Sequence, residues 1–389
     1  MSAPMLDPDA GPLRLLVLQP TPFCNLNCDY CYLPGRHERS RMAPEILDAA
    51  LDRVLESPYL DGPFTLLWHA GEPLSLPPAF YNIASERISA ALERHGLPRD
   101  LVRQSLQTNG INLNEAWCDC FERHGIHVGV SLDGPAFLHD AHRRTRSGLP
   151  SHAAVMRGIS WLQRRRIPFN VIAVLTDESL DHADALYDFF ADHGIGEVGF
   201  NMEETEGANP CSSLDATGDR AALEKRYRAF LQRFWQRSLA EPGRVRLREF
   251  EGMLTLACTE ERLQHTDMNR PFVIVNVDVN GAMSSFDPEL LGTASDRFGR
   301  FAFGQVQHHS LAAMATDPRF QAVRREIAEG VERCRRECAY FGLCGGGAGS
   351  NKYFEHGRFD GSETQACRYR IQLVAEVVLA EMERDLELA

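Results

Sequence analysis

Three cysteines near the start of the chain stand close enough together to bind one metal centre. Cys24, Cys28 and Cys31 lie in the string CNLNCDYC, with the spacing C-x3-C-x2-C. Three thiolates hold three irons of a four-iron, four-sulfur cluster and leave the fourth iron open for an exogenous ligand. A structural zinc site is the alternative, but such sites usually take four protein ligands, and no nearby His or Cys completes a tetrahedron. The spacing therefore favours an iron–sulfur cluster with one open position.

Four more cysteines towards the C-terminus make a complete ligand set. Cys334, Cys338 and Cys344 follow the spacing C-x3-C-x5-C, and Cys367 comes later. Four thiolates suit a four-iron cluster, and they also suit zinc. The three glycines after Cys344 follow no strand-turn-helix pattern, so they indicate close backbone packing and not a phosphate site. The sequence thus predicts a second metal centre.

The composition excludes several classes of protein. The 389 residues are 44% apolar and 24% charged, which is typical of a globular chain. A net charge of −13 argues against nucleic acid as a partner. No apolar run is long enough for a membrane span, and the N-terminus does not resemble a signal peptide, so we expect a cytoplasmic protein. Eleven cysteines cannot all pair, which favours metal ligands over disulfides.

Short apolar runs alternate with longer amphipathic stretches between Leu13 and Met202, which predicts parallel strands covered by helices. Six such units are too few for a closed eight-stranded barrel. We therefore expect an α/β fold, a partial (β/α)6 barrel whose strand ends share one rim. The expected strands cover residues 13–19, 64–69, 101–108, 126–132, 169–175 and 196–201, and the expected helices cover residues 44–56, 78–94, 115–123, 152–165 and 179–192.

The pattern changes near residue 240. A long polar helix over residues 219–240 ends before Pro242 and Gly243, and a hairpin is expected over residues 272–283, turning at Asn280-Gly281. The second cysteine group follows this hairpin. We therefore expect two domains, residues 1–240 and residues 241–389.

The first cysteine motif, with Tyr30 before its last cysteine, resembles the radical S-adenosylmethionine (SAM) superfamily over residues 14 to about 235. The resemblance implies that the open iron chelates the amino and carboxylate groups of SAM. One electron from the cluster then cleaves SAM to methionine and a 5'-deoxyadenosyl radical. A cellular one-electron reductant, such as flavodoxin or ferredoxin, is the implied electron donor.

Further motifs of that superfamily follow the predicted strands in order. Ala70-Gly71-Glu72-Pro73 is similar to the Gly-Gly-Glu-Pro motif that engages the methionine ammonium, with Ala in place of the first Gly. Gln107-Thr108-Asn109-Gly110 follows the third strand, and Ser131-Leu132-Asp133-Gly134-Pro135 follows the fourth. Each motif alone is an ordinary turn, but their occurrence in this order makes coincidence improbable. The resemblance implies SAM contacts from Tyr30, Gly71, Glu72, Asn109, Ser131, Arg143 and Leu175, with Ser131 and Arg143 at the carboxylate and ribose and Leu175 under the adenine.

The second cysteine group resembles the SPASM extension of radical peptide maturases, which carries auxiliary iron–sulfur clusters. Phe286 and Ala348 stand where the two-cluster version of this extension has cysteines. Cys258 would then be the one cysteine that remains of the second auxiliary cluster site. We therefore expect two four-iron clusters in total, one for SAM and one auxiliary, with no metal at Cys258.

The strings LQPTPFCNLNCDYCYLP, FNMEETEGAN and CGGGAGSNK look most like the cyclophane-forming maturases of glycine-rich-repeat precursor peptides. That family joins an aromatic ring of a precursor peptide to the β-carbon of the residue two positions later. Asp287 would accept the ring proton, although it is equally well explained as a turn residue. No membrane partner is expected.

Two other functions stay open. The first is a sulfatase-maturating, formylglycine-forming enzyme, against which the missing auxiliary cysteines count. The second is a non-catalytic iron–sulfur module that binds a peptide or senses redox state. The intact Glu72, Ser131 and Arg143 count against such a module, since it needs no SAM site.

Overall fold

The six predicted strands are present and pair in sequence order as parallel neighbours. The computed structural model describes residues 9–215 and 218–388. Its strands are β1 (Leu15–Leu18), β2 (Phe64–Trp68), β3 (Val102–Thr108), β4 (His127–Ser131), β5 (Phe169–Leu175), β6 (Glu197–Met202), β7 (Arg246–Leu247), β8 (Ile274–Val277), β9 (Ala282–Ser285), β10 (Ala294–Ser295), β11 (Gly299–Arg300) and β12 (Gly304–Gln305).

The residues that the structure describes form fourteen α-helices, and those between the strands bury their apolar stripes against the sheet. They are α1 (Pro44–Leu55), α2 (Pro78–Arg94), α3 (Glu115–His124), α4 (Ala136–His142), α5 (His152–Arg165), α6 (Ala183–Asp192), α7 (Arg220–Ala240), α8 (Arg248–Ala257), α9 (Leu311–Ala315), α10 (Pro318–Glu337), α11 (Phe341–Cys344), α12 (Gly349–His356), α13 (Gln365–Cys367) and α14 (Leu373–Leu388).

One predicted helix begins later than expected. The sequence predicted a helix from Ser179, whereas α6 begins at Ala183. The Ser179 hydroxyl instead accepts a hydrogen bond from the Thr176 backbone N–H at 3.2 Å, within a short 3-10 helix over Glu178–Asp181. A serine that bonds locally to the backbone competes with helix formation, which explains the late start.

The strand order of the main sheet is β12-β9-β8-β1-β2-β3-β4-β5-β6-β7. The predicted hairpin is β8 and β9, which pair antiparallel, and β8 also pairs in parallel with β1. At the other edge β7 pairs in parallel with β6. Strands from both sides of residue 240 therefore share one sheet. The α/β fold class with its C-terminal extension is confirmed.

The carboxyl ends of the strands meet along one rim, which is where loops of such a sheet carry chemistry. One face of the sheet packs on the helices, for instance through Leu16, Leu66 and Trp68, which are all fully buried. Among the residues that the structure describes, no helix is both long and apolar enough to cross a membrane.

Candidate functional site

The loop that carries the first three cysteines follows β1 and is fixed to the turn after β2. The Glu72 backbone N–H donates to the Phe23 carbonyl at 2.7 Å. Gly71 has a φ of +68°, and a Cβ there would lie 2.2 Å from the Thr21 carbonyl oxygen. Only glycine fits this contact, because any side chain would push the two loops apart. The neighbouring Ala70 has a φ of +66°, a conformation that glycine adopts more readily.

Glu72 joins the ends of β2 and β3 through its buried carboxylate. It accepts hydrogen bonds from the Leu74 N–H at 2.8 Å, the Thr108 hydroxyl at 2.6 Å and the Asn109 N–H at 2.8 Å. Burial raises the pKa of Glu72 to about 7, although these hydrogen bonds oppose the shift. Asn109 in turn donates to the Asn25 side chain at 2.7 Å, inside the cysteine loop. The predicted contact of Glu72 with a SAM ammonium stays a prediction.

Tyr30 and Arg143 converge on Asp133, a residue that sequence reasoning did not select. The Arg143 guanidinium binds both Asp133 carboxylate oxygens, at 2.8 and 3.0 Å, and the Tyr30 hydroxyl donates to the same carboxylate. Burial alone would raise the pKa of Asp133, but the Arg143 charge holds it below its ordinary value. This ion pair fixes the Tyr30 ring beside the cysteines. The one signal in the sequence was the closeness of Asp133 and Arg143, which are 10 positions apart.

Ser131 and Leu175 end β4 and β5, as predicted, but they face different surroundings. The Ser131 hydroxyl accepts a hydrogen bond from Gln107 Nε2 at 2.9 Å. Leu175 is 1% exposed and belongs to the core between sheet and helices. Successive side chains of a strand point to opposite faces, and the preceding residue Val174 lines the rim cavity. The predicted contact of Leu175 with the adenine stays a prediction.

A cavity of about 290 Å³ lies at the rim and joins the first cysteine motif to Asp287. Asp287 is 1% exposed, and its Oδ2 accepts a hydrogen bond from the Ser350 N–H at 2.9 Å. Its Oδ1 has no hydrogen-bond partner in the described part of the chain. Burial raises the pKa of Asp287 to about 7. The residues around the cavity include Cys28, Tyr30, Cys31, Tyr32, Arg143, Val174, Glu204, Glu206, Asp287, Glu289, Ser350, Asn351 and Arg370.

Sequence reasoning missed the acidic group beside Asp287. Asn351 Nδ2 donates to Glu204 at 2.8 Å and to Glu206 at 2.7 Å, and Arg370 pairs with Glu204 at 3.1 Å. Burial and the nearby Glu204 raise the pKa of Glu206, and burial with the nearby Asp287 raises that of Glu289 to about 8. These contacts join residues about 150 positions apart, which local patterns do not reveal.

The second cysteine group surrounds a cavity of about 410 Å³, lined by Cys334, Cys338, Cys344 and Cys367. Three of these sulfurs accept hydrogen bonds: Cys334 from Lys352 Nζ at 3.4 Å, Cys344 from the Gly346 N–H at 3.4 Å and Cys367 from Gln372 Nε2 at 3.6 Å. Donors around sulfur stabilise thiolates, so this set of residues fits a four-iron cluster.

The two cavities are neighbours, since Met268, Ala348, Asn351 and Arg370 line both. Within residues 9–215 and 218–388, no three His, Cys, Asp or Glu side chains are gathered tightly enough to hold a single metal ion.

The positions that would complete another cluster have different roles. Phe286 is fully buried, and its ring stacks on Phe320 with centroids 5.7 Å apart. Cys258 is an exposed free thiol at the end of α8. Cys118 and Cys120 are buried in α3, and Cys211 is exposed, all three as free thiols. This arrangement agrees with a single auxiliary ligand set.

Comparison with known proteins gives three likenesses. An uncharacterized protein of Synechocystis sp. is 51% identical over 379 residues, 97% of this chain and 94% of the relative. A serine-type anaerobic sulfatase-maturating enzyme of Bacteroides thetaiotaomicron is 34% identical over 197 residues, 49% of this chain and 46% of the enzyme. The solved structure of native anSMEcpe with bound AdoMet and Cp18Cys peptide has a TM-score of 0.75 at 21% identity, over 97% of this chain and 100% of that one.

The family model of the Radical SAM superfamily matches residues 18–190, the stretch that carries the first cysteine motif and the turns after β2, β3 and β4. The fold around that stretch is likewise shared with the solved anSMEcpe structure. The family match therefore assigns residues 18–190 of this chain to the Radical SAM superfamily, and the protein is an enzyme.

Proposed function

We propose that this enzyme cross-links a ribosomally made precursor peptide, joining an aromatic ring to a side-chain β-carbon within a three-residue segment. The observation that carries the proposal is the rim cavity, which places Asp287 together with Cys28 and Cys31. Such a reaction needs a radical to break a C–H bond and a base to take up the proton that the ring releases. The resemblance of three sequence strings to cyclophane-forming maturases supports the peptide substrate.

Cys24, Cys28 and Cys31 would hold the SAM-binding cluster, and the four cysteines of the second cavity would hold an auxiliary one. When bound, the first cluster and SAM supply a 5'-deoxyadenosyl radical. The loop contact at Gly71 and the hydrogen bonds among Tyr30, Asp133 and Arg143 fix the positions of the residues that would surround the cluster and SAM. Residues that are already locked by packing and hydrogen bonds position a reactive group accurately.

Asp287 acts on the substrate as the general base. A pKa of about 7 makes its carboxylate a stronger base than an ordinary Asp while it is still ionised in part of the molecules at neutral pH. The Ser350 N–H holds one carboxylate oxygen, which leaves the unpartnered Oδ1 to take the proton.

A sulfatase-maturating, formylglycine-forming activity is the second candidate. The identity with a serine-type sulfatase-maturating enzyme favours it, although that likeness covers about half of each chain. The single auxiliary ligand set, with Phe286 packed in an aromatic core, favours the cross-linking activity.

Co-expression with short candidate precursor peptides that contain an aromatic residue tests the proposal. We expect a product that lacks two hydrogen atoms and gives no backbone fragments within a three-residue segment that begins with the aromatic residue. The measurement is tandem mass spectrometry, with the Cys28→Ala variant as the inactive control. A product of the same mass that reacts with a hydrazide reagent contains an aldehyde, and it would establish the formylglycine activity instead.

A further inference from the structure

Lys352 occupies an unusual position for a lysine. It lies in the first turn of α12, and it is 3% exposed. Lysine is almost never fully buried unless its charge is paired. Among the described residues, the one hydrogen bond that its ammonium donates goes to Cys334 Sγ at 3.4 Å, and no described carboxylate pairs with it. The ammonium therefore lies against a sulfur of the predicted auxiliary site.

The composition makes this lysine more conspicuous. The chain has 41 basic Lys and Arg residues, but its lysines are only Lys225 and Lys352. Lys225 is exposed on α7. At the second cavity the chain thus uses a lysine, although arginine serves nearly everywhere else.

The space around the ammonium explains the choice of residue. Gly330 of α10 faces it, and a Cβ at that position would lie 3.1 Å from Lys352 Nζ. A planar guanidinium is larger than an ammonium, whereas lysine carries a compact point charge on a flexible stem. The site therefore accepts a small cation directly beside Cys334.

We propose that Lys352 is a positioning residue that raises the reduction potential of the auxiliary cluster held by Cys334, Cys338, Cys344 and Cys367. A cluster bound by four thiolates is anionic, and it gains a further negative charge on reduction. A nearby positive charge and a hydrogen bond to a ligand sulfur stabilise the reduced state more than the oxidised state. This inference rests on the auxiliary cluster of the proposed function.

A raised potential has a defined use in the proposed reaction. After the carbon radical adds to the aromatic ring, the adduct must lose one electron and one proton to restore the ring. The proton goes to Asp287, and the electron reduces the oxidised auxiliary cluster by one. Asn351, the neighbour of Lys352, lines both cavities, so the two sites share a wall.

The experiment compares the auxiliary-cluster potential of four full-length, iron-reconstituted proteins. These are the wild type, Lys352→Met, Gln372→Leu and the exposed control Lys225→Met, each followed by electron paramagnetic resonance during a redox titration. The same set in a Cys24→Ala, Cys28→Ala, Cys31→Ala background isolates the auxiliary signal. Lys352→Met removes the charge and keeps the length of the side chain. Gln372→Leu removes a neutral donor to Cys367.

We expect Lys352→Met to keep its iron and to lower the potential. At fixed potential, its reduced-to-oxidised ratio should fall at least tenfold, which equals about 59 mV for a one-electron couple. Gln372→Leu should shift the potential less, and Lys225→Met should not shift it.

Three results would overturn the inference. An unchanged potential in an iron-loaded Lys352→Met protein would overturn it while leaving the proposed function intact. If Lys352→Met loses the auxiliary iron, a further variant, Lys352→Gln, is reconstituted in the same way, and loss of the auxiliary iron in both would give Lys352 a role in assembly only. A wild-type protein with no auxiliary cluster, or with zinc there, would refute the cofactor content of the proposed function, and this inference with it.

Discussion

Asp287 is the residue on which the proposed chemistry depends most. We expect Asp287→Asn to retain both clusters and to cleave SAM, but to form about 10²- to 10⁴-fold less cross-linked peptide. Asn matches the shape of the carboxylate, yet it cannot accept a proton at neutral pH. The measurement is the rate of product formation beside the rate of 5'-deoxyadenosine formation. Cross-linking at the wild-type rate would reduce Asp287 to a turn residue.

The same variant has a pH-dependent effect on stability. The folded-state pKa of Asp287 is about 7, above that of an unfolded Asp, so the folded state binds the proton more tightly. Stability that depends on this proton is present at low pH and is lost as pH rises towards 7. Asn never ionises. The free energy of unfolding of Asp287→Asn, relative to that of the wild type, should therefore be higher at about pH 8.5 than at about pH 6, by on the order of 1 kcal/mol. Equal differences at both pH values would contradict the raised pKa.

At the scale of elements, two separate segments of the chain carry the two ligand sets. The first is the loop between β1 and α1, and the second is the mostly helical segment from the end of α10 to α13. Because each segment supplies its own cysteines, the clusters should be lost independently. Replacing Cys24, Cys28 and Cys31 with Ala should leave about half of the iron, and replacing the four auxiliary cysteines should remove the other half.

Iron and sulfide analysis of the reconstituted proteins measures this. The wild type should hold about eight irons in two four-iron clusters. Replacing Cys258 with Ala is the matched control, since that cysteine is exposed and should not change the iron content. About twelve irons in the wild type would contradict the single auxiliary cluster.

At the scale of the whole molecule, the sheet joins the two predicted domains. In the complete chain β8 covers the edge of β1, through a parallel register from Leu15 with Ile274 to Leu18 with Val277. A fragment of residues 1–240 would expose that edge, and exposed edges of buried strands favour aggregation. We expect the fragment to be insoluble or unfolded.

The intact chain should unfold in one transition. Circular dichroism and intrinsic fluorescence during denaturation should give coincident curves for the full chain. A soluble 1–240 fragment with a cooperative transition of its own would show that the first predicted domain folds independently.

Local pattern alone determined most of the fold. The strand β5 and the helices α2 and α5 have the predicted bounds, because hydrophobic periodicity and turn residues act over a few neighbouring positions. The helix expected from Ser179 begins only at Ala183 for a local reason too, since the Ser179 side chain bonds to the backbone. Cysteine spacing likewise grouped Cys334, Cys338 and Cys344, which lie close together in the sequence and line one cavity.

Only the tertiary structure decided which distant residues meet. Nothing in the sequence pairs Asn351 with Glu204 and Glu206, or sets Lys352 against Cys334, because such contacts depend on how α12 packs. The structure likewise turned Val174, and not Leu175, towards the rim cavity, since the facing of a strand depends on its position in the sheet. Residue type and spacing thus set which chemistry the chain can carry, whereas packing set the charges and hydrogen bonds that surround it.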